Sequence, residues 1–444
     1  MNNELGREIT LPSILKFTFP SILTMVVMSL YTVVDGTFVS RLVGTNAFSA
    51  VNIVYPLLSV TIGLGTMFGT GLTAVVSRKL GEGKEEEARQ DLTFVLLTTI
   101  LLGVAVTLVC FFCLEDIIRA LGANDEIFQD CRDYAFPLVF FFGANILQLQ
   151  FQTLYVACGK PYIGLATTVL GGLANVALDY LFIARFHMGV AGAAIATGIG
   201  YALPTVYGLA YFACNRKGAL YFVKPKADFR LLLHTMVNGS SEMVNNLSTS
   251  VTTFLFNIIM MRMLGQDGVA AVSILLYLDF VLIAIALGYS LGVAPLFSYN
   301  YGSGEEEKLK RLFRMSTRFS FAVGAVMSAG TFLFAKHLAG IFTHQGTPVY
   351  ELAVSGLGIY ALSYLFKGYN VFASALFTAF GDGRTSAILS FLRTFVFLSA
   401  SLLGLSSLFG VEGVWFATPV AELLSLALSL FYLIRCRRRY GYWK

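Results

Sequence analysis

The stretch Gly171-Gly172-Leu173-Ala174-Asn175-Val176-Ala177-Leu178-Asp179-Tyr180 decides how this chain is read. It lies inside an apolar segment, about Ile163 to Ile183, that is long enough to cross a bilayer as a helix. An Asp at the centre of such a helix costs about 2.5–3.5 kcal/mol on insertion, so it normally faces a polar interior and a partner. Asn175 stands one turn before Asp179 on the same face. An amide and a carboxylate on one stripe can hold a cation or share a proton. A second acid, Asp35, sits in the first apolar run, and the two acids together read as a proton or ion site.

Composition sets the class. The 444 residues are 56% hydrophobic and only 13% charged, with a mean hydropathy of +0.72. A soluble domain carries about 25% charge, so this is an all-α, polytopic membrane protein. The six cysteines show no metal-ligand grouping and read as small apolar fillers. No cleavable signal peptide is expected, because Met1–Thr10 is polar and the first apolar run has full span length.

About twelve spans follow one another, near 14–40, 47–77, 92–114, 134–158, 163–183 and 191–213, then 231–261, 269–298, 317–342, 350–380, 386–409 and 414–434. A polar linker separates the two sets. The expected organisation is a six-helix lobe at 1–213, a cytoplasmic linker at 214–230 and a second six-helix lobe at 231–444. Lys and Arg collect at 78–89, 216–230, 308–318 and 435–444. The positive-inside rule then places those loops and both termini in the cytoplasm of a multi-pass cell-membrane protein. The Arg437–Arg439 run can also touch anionic lipid.

The chain repeats at an offset of 221 residues. Arg41-Leu-Val-Gly44 recurs as Arg262-Met-Leu-Gly265, Gly81-Glu-Gly83 as Gly302-Ser-Gly304, and Gly189-Val-Ala-Gly192 as Gly410-Val-Glu-Gly413. Two pseudo-symmetric halves in parallel orientation follow. Transporters built this way hold substrate between the halves and rock one against the other. The halves differ in chemistry. Asp35 maps to Phe256 and, after a one-residue slip, Asp179 maps to Ser401 and Asn175 to Phe397. The second half has its own polar set of Glu242, Asp279, Lys367 and Arg393. Glu242 reads equally as a cavity acid for a cationic substrate or as an acid solvated near a helix end. Lys367 and Arg393 are available to neutralise Asp279 or Glu242.

Burial disfavours the charged form of a carboxylate. A proton can therefore be held at neutral pH and lost when the site opens to the other face. Pro20 removes a hydrogen bond from the first span and permits a bend there. Met-rich and aromatic faces suit promiscuous cation binding; Glu242, Met28, Tyr31, Phe151, Phe254 and Met260 are the candidate substrate-cavity residues. No Gly-x-Ser-x-Gly, P-loop or paired His/Asp metal spacing is present in the sequence, so an enzyme is not expected.

Pro20 with Asp35-Gly36-Thr37-Phe38-Val39, Asn175-x-x-x-Asp179 and Gly192-Ala-Ala-Ile-Ala-Thr197, on twelve spans in two halves, resemble the multidrug and toxic compound extrusion (MATE) family. The length and the Gly81–Ala88 loop resemble its bacterial MepA-like branch. The resemblance covers nearly the whole chain. It implies a V-shaped fold with a central cavity, and cation-coupled export of amphipathic, mostly cationic compounds. It implies that Asp35, Asn175, Asp179 and Thr197 line a first-half cation site, with H+ favoured and Na+ as the other coupling ion. The tenth span offers Lys367 and Asn370 and no acid, which departs from a second-half sodium site. No cofactor and no nucleic-acid partner is expected; the partners are small amphipathic cations and the bilayer, and the protein is expected to be a monomer. The alternative is a flippase for lipid-linked cell-wall or polysaccharide precursors, which would favour a cationic cavity.

Overall fold

In hydrocarbon every backbone polar group must be satisfied within its own segment, so apolar runs of this length fold as helices. The computed structural model describes residues 4–43 and 45–443; the side chains at 33, 36–42, 45, 46 and 48, which include the 36–39 motif, lie outside the described set. Among the described residues there is no strand. The long elements of the first half are α1 (Leu11–Leu42), α2 (Thr45–Gly81) and α3 (Glu85–Phe112). A short α4 (Leu114–Ala120) leads to α5 (Phe128–Val139) and α6 (Phe142–Ala157), then α7 (Pro161–Asp179) and α8 (Gly189–Cys214). The second half holds α9 (Phe229–Gly302), α10 (Glu306–Phe342), α11 (Pro348–Tyr360), α12 (Tyr364–Ala379), α13 (Gly383–Phe391) and α14 (Leu398–Tyr440).

The expected twelve spans are present. α5 and α6 form one span bent by 57°. The 74 residues of α9 are two spans meeting at Gly265, where φ 64° and ψ −144° break the helix. Gly410, at φ 60° and ψ −134°, divides the segment containing α14 in the same way. Only glycine enters that region of backbone space cheaply. Asp228 caps α9 by accepting from the N–H groups of Arg230 and Leu231, which places the start of the second half directly after the polar linker. Several buried threonines are satisfied locally: Thr18, Thr24 and Thr70 donate to carbonyls four residues back at 2.7–2.9 Å. α1 runs through Pro20 as one helix.

The two halves meet where α1 and α2 pack on α9. The contact is made by glycines at the end of the bundle that carries the basic loops. A Cβ on Gly71 would strike the Thr235 carbonyl, and one on Gly239 the Met67 carbonyl. Gly81 sits against the Tyr299 carbonyl and Gly302 against the Arg78 carbonyl. Gly81 with Gly302 and Arg78 with Tyr299 are mates at the offset of the repeat, so this is one contact made twice about a pseudo-twofold axis. Small residues let helix backbones approach closely in a membrane, where there is no hydrophobic drive between helices.

All six cysteines are free. Cys110 and Cys131 are buried fillers, but Cys113 and Cys214 are exposed on the helix surface, so the filler reading fails for those two.

A side chain at these contacts should act as a wedge. Gly239→Val is expected to cost about 1–3 kcal/mol by overpacking and to lower the melting temperature in detergent. Gly330→Val, where a Cβ meets nothing within 4 Å, should leave it nearly unchanged. Equal shifts for the two variants would contradict the interface described.

Candidate functional site

Asp179 is the last residue of α7, and the chain continues in a π-turn, Tyr180–Arg185. Such wide turns collect at functional sites. The carboxyl is 0% exposed, and Asn175 one turn earlier is 2% exposed. Asn175 Nδ2 donates to Thr197 Oγ1 on α8 at 3.4 Å. Asp35 approaches from α1, and its carboxyl group lies within interaction distance of Asp179. The structure thus brings together the four residues Asp35, Asn175, Asp179 and Thr197. Both Asp179 carboxylate oxygens, Asp35 Oδ1 and Asn175 Oδ1 are buried without a hydrogen-bond partner. Among the described residues no lysine or arginine pairs with either acid. Tyr31, Tyr134 and Tyr201 surround the pair.

Two facing carboxylates with no basic neighbour cannot both stay charged in a low-dielectric interior. The arrangement needs a shared proton, two protons or a small cation, and its four idle oxygens are the acceptors that would receive one.

Next to this pair a cavity opens between α1, α6, α7 and α8. Met28 and Tyr31 line it, as expected from the sequence, together with Asn175 and Thr197. Gln148, Gln152, Thr168 and Tyr201 also line it, and sequence reasoning missed them. Gln148 and Gln152 form an amide stripe at the same i,i+4 spacing as Asn175 and Asp179, so a signal was present.

Other candidates fall elsewhere. Phe151 is buried and stacks on Phe212 at 5.6 Å, filling the space that Gly208 leaves. Met260 is fully buried in the second-half core with Phe256 and Leu275. Phe254 is 62% exposed. Packing therefore takes Phe151 and Met260 away from any cavity. Glu242 is half-buried, beside Asn245 and within electrostatic reach of Arg393.

The pairing of the second-half charges is resolved. Lys367 Nζ lies 2.7 Å from both Asp279 oxygens. Arg393 Nε donates to Glu422 at 3.0 and 3.2 Å, and Asn370 Nδ2 donates to Glu422 Oε2 at 2.8 Å. Glu422 was overlooked in the sequence because it sits in an otherwise apolar run near the chain's end. α6 and α12 begin and end 222 residues apart, so Asn370 is the mate of Gln148. Arg393 matches Gly171 at the same offset, and Glu422, beyond the Gly189/Gly410 pair where the offset is again 221, matches Tyr201. All three first-half mates line the cavity. The space that is open in the first half is closed by an ion-paired network in the second.

A repeated twelve-span bundle with a buried, partnerless acid pair beside a polar cavity defines a membrane transporter. The chain belongs to the MatE family, whose model matches twice, at residues 20–181 and 243–402. It is 26% identical over 417 residues to the multidrug export protein MepA of Staphylococcus saprophyticus, covering 92% of this chain and 90% of that one. Among solved structures it resembles a MATE in complex with MaL6, with a TM-score of 0.93, 22% identity and 99% of each chain covered. It also resembles an outward-facing multidrug-resistance MATE transporter of the MOP superfamily, with a TM-score of 0.92, 23% identity and coverage of 99% and 98%.

The Arg393–Glu422 pair supplies a stability test. Arg393→Ala leaves a buried carboxylate uncompensated and should cost about 3–5 kcal/mol, seen as a lower melting temperature in detergent. The double change Arg393→Met with Glu422→Leu should recover most of that loss. A double variant as unstable as the single one would show that the pair is not the source of the effect.

Proposed function

We propose that this protein exports amphipathic, mostly cationic compounds in exchange for protons, by alternating access between two six-helix lobes. The observation that carries this reading is the Asp35–Asp179 pair, whose buried carboxylate oxygens have no basic partner among the described residues. Asn175 and Thr197 support it, and the adjoining cavity has an aromatic and amide wall. Tyr and Met surfaces accept flat cations of varied shape. A proton and a drug cation that compete for the same region of negative charge give antiport. The naming of a 26%-identical relative as a multidrug exporter supports the substrate class. Among the described residues no basic side chain pairs with either acid, which disfavours a phosphate-bearing lipid head group as cargo. Sodium remains the other coupling ion to test, because two carboxylates, an amide and a hydroxyl suit a hard cation.

The cycle follows from the geometry. A proton held by the acid pair removes one of its two negative charges and weakens its hold on a cationic drug. Loss of the proton restores the charge and lets the drug bind. The glycine contacts at the basic end open and close as the lobes rock. Both termini and the 215–228 linker belong to the cytoplasm in this scheme.

Three outcomes are expected. Asp35→Asn and Asp179→Asn should each abolish export of a fluorescent cationic dye driven by a proton gradient in everted vesicles, while dye binding stays measurable. Their double variant should be little worse, because residues acting as one unit are not additive. An Asp35→Asn protein exporting at the wild-type rate with unchanged proton dependence would contradict the reading, and drive by a sodium gradient alone would reassign the ion. Glu242→Gln should weaken export of cations more than of neutral compounds; equal loss for both would give Glu242 a coupling role instead. Cysteines placed between 215 and 228 should label only from the cytoplasm, and labelling from outside intact cells would invert the topology.

A further inference from the structure

Lys367 sits deep in the second half, 9% exposed. Its ammonium group has three hydrogens to give. Two are taken by the oxygens of Asp279, both at 2.7 Å, and the third by Tyr360 Oη at 3.3 Å. The same nitrogen lies 5.5 Å from the centre of the Tyr360 ring. Two further oxygens belong to the cluster. Tyr364 Oη neighbours Asp279, and Thr418 Oγ1 neighbours the Tyr360 hydroxyl. Both are buried and have no hydrogen-bond partner. A purely structural ion pair needs one acid and one base. This one stands among three buried hydroxyls, two of which lack a hydrogen bond of good geometry.

The donor set is a carboxylate, three hydroxyls and an aromatic face. Hard oxygen donors with one formal negative charge suit a small monovalent cation, and the aromatic face favours an organic ammonium ion as well. Among the described residues the first half shows no equivalent. The mate of Lys367 is Asn145, whose Nδ2 donates to Thr61 Oγ1 at 2.8 Å, and the mate of Asp279 is Leu58.

We propose that Asp279, Tyr360, Tyr364 and Thr418 form a monovalent-cation site whose permanent occupant is the ammonium group of Lys367. The second half carries its cation as part of the chain, and its charge stays fixed through the cycle. That the first half alone exchanges a cation rests on the function proposed above; the existence of the site does not.

The test removes the resident cation and asks whether a free one takes its place. Lys367→Ala is purified in detergent, and its melting temperature is titrated with sodium, potassium and methylammonium chloride against choline chloride at constant ionic strength. A ligand that binds the folded state raises the melting temperature saturably. The wild type, whose first-half site is intact, sets the baseline in each of the four salts. The variant should melt lower in choline and regain most of the loss with at least one of the smaller cations. Adding Asp279→Asn should abolish that recovery. The same loss against that baseline in all four salts, or equal recovery with Asp279→Asn present, overturns the proposal. Should Lys367→Ala not survive extraction, Lys367→Met keeps the packing and is read in the same way. Failure of both variants to survive extraction in methylammonium also counts against the site. Saturable recovery combined with an Asp35→Asn protein that still exports normally would leave this site standing and remove the function proposed above.

Discussion

A carboxylate inside a membrane must find a proton, a cation or a basic side chain, and the architecture follows from how each half meets that demand. In the first half Asp35 and Asp179 face each other, and among the described residues no basic side chain pairs with either. In the second half every deep acid except Glu242 is matched: Asp279 by Lys367, and Glu422 by Arg393 and Asn370. One half is an open electrostatic question that a mobile ion can answer. The other is answered within the chain. Two copies of one fold have been driven apart by the placement of four charged side chains.

The two unlike halves are joined by a scaffold of close backbone contacts. The glycine contacts among α1, α2 and α9 supply it. They bring backbone against backbone at the basic end, repeated about a pseudo-twofold axis, while the acid pair lies further along α1 and α7. Apolar side chains flank these backbone contacts: Ile14 packs with Val293 and Phe297, and Met67 and Leu72 with Met236 and Met243. The ion-paired network of Arg393, Glu422 and Asn370 rigidifies the second half at the positions where the first half has its cavity.

Much of this was legible in the sequence. Twelve spans, the repeat and the first-half stripe of Asn175 and Asp179 all announce themselves through hydropathy, offset and spacing. Gly265 and Gly410 were visible as repeated glycines, and the structure adds that they break α9 and the α13–α14 segment into separate spans. The cavity wall was less legible. Phe151 and Met260 look like lining residues by type, but which side of a helix faces a core depends on its neighbours, and both turn into packing. Gln148 and Gln152 were hidden because neutral amides stand out less than charges. The partner of Arg393 could not be assigned because Glu422 lies 29 residues away on another helix. Ion pairing across helices is a property of the packed bundle.

The central claim is that the acid pair carries the exchangeable proton. The most direct test is the proton released on substrate binding, read with a pH-sensitive dye in weakly buffered detergent solution of the purified protein. Adding a saturating cationic dye substrate to the wild type should release protons in proportion to the protein present. The Asp35→Asn, Asp179→Asn double variant should bind the substrate more weakly and, when saturated, release none. Proton release by the double variant equal to that of the wild type would contradict the account and move the exchangeable proton elsewhere in the chain.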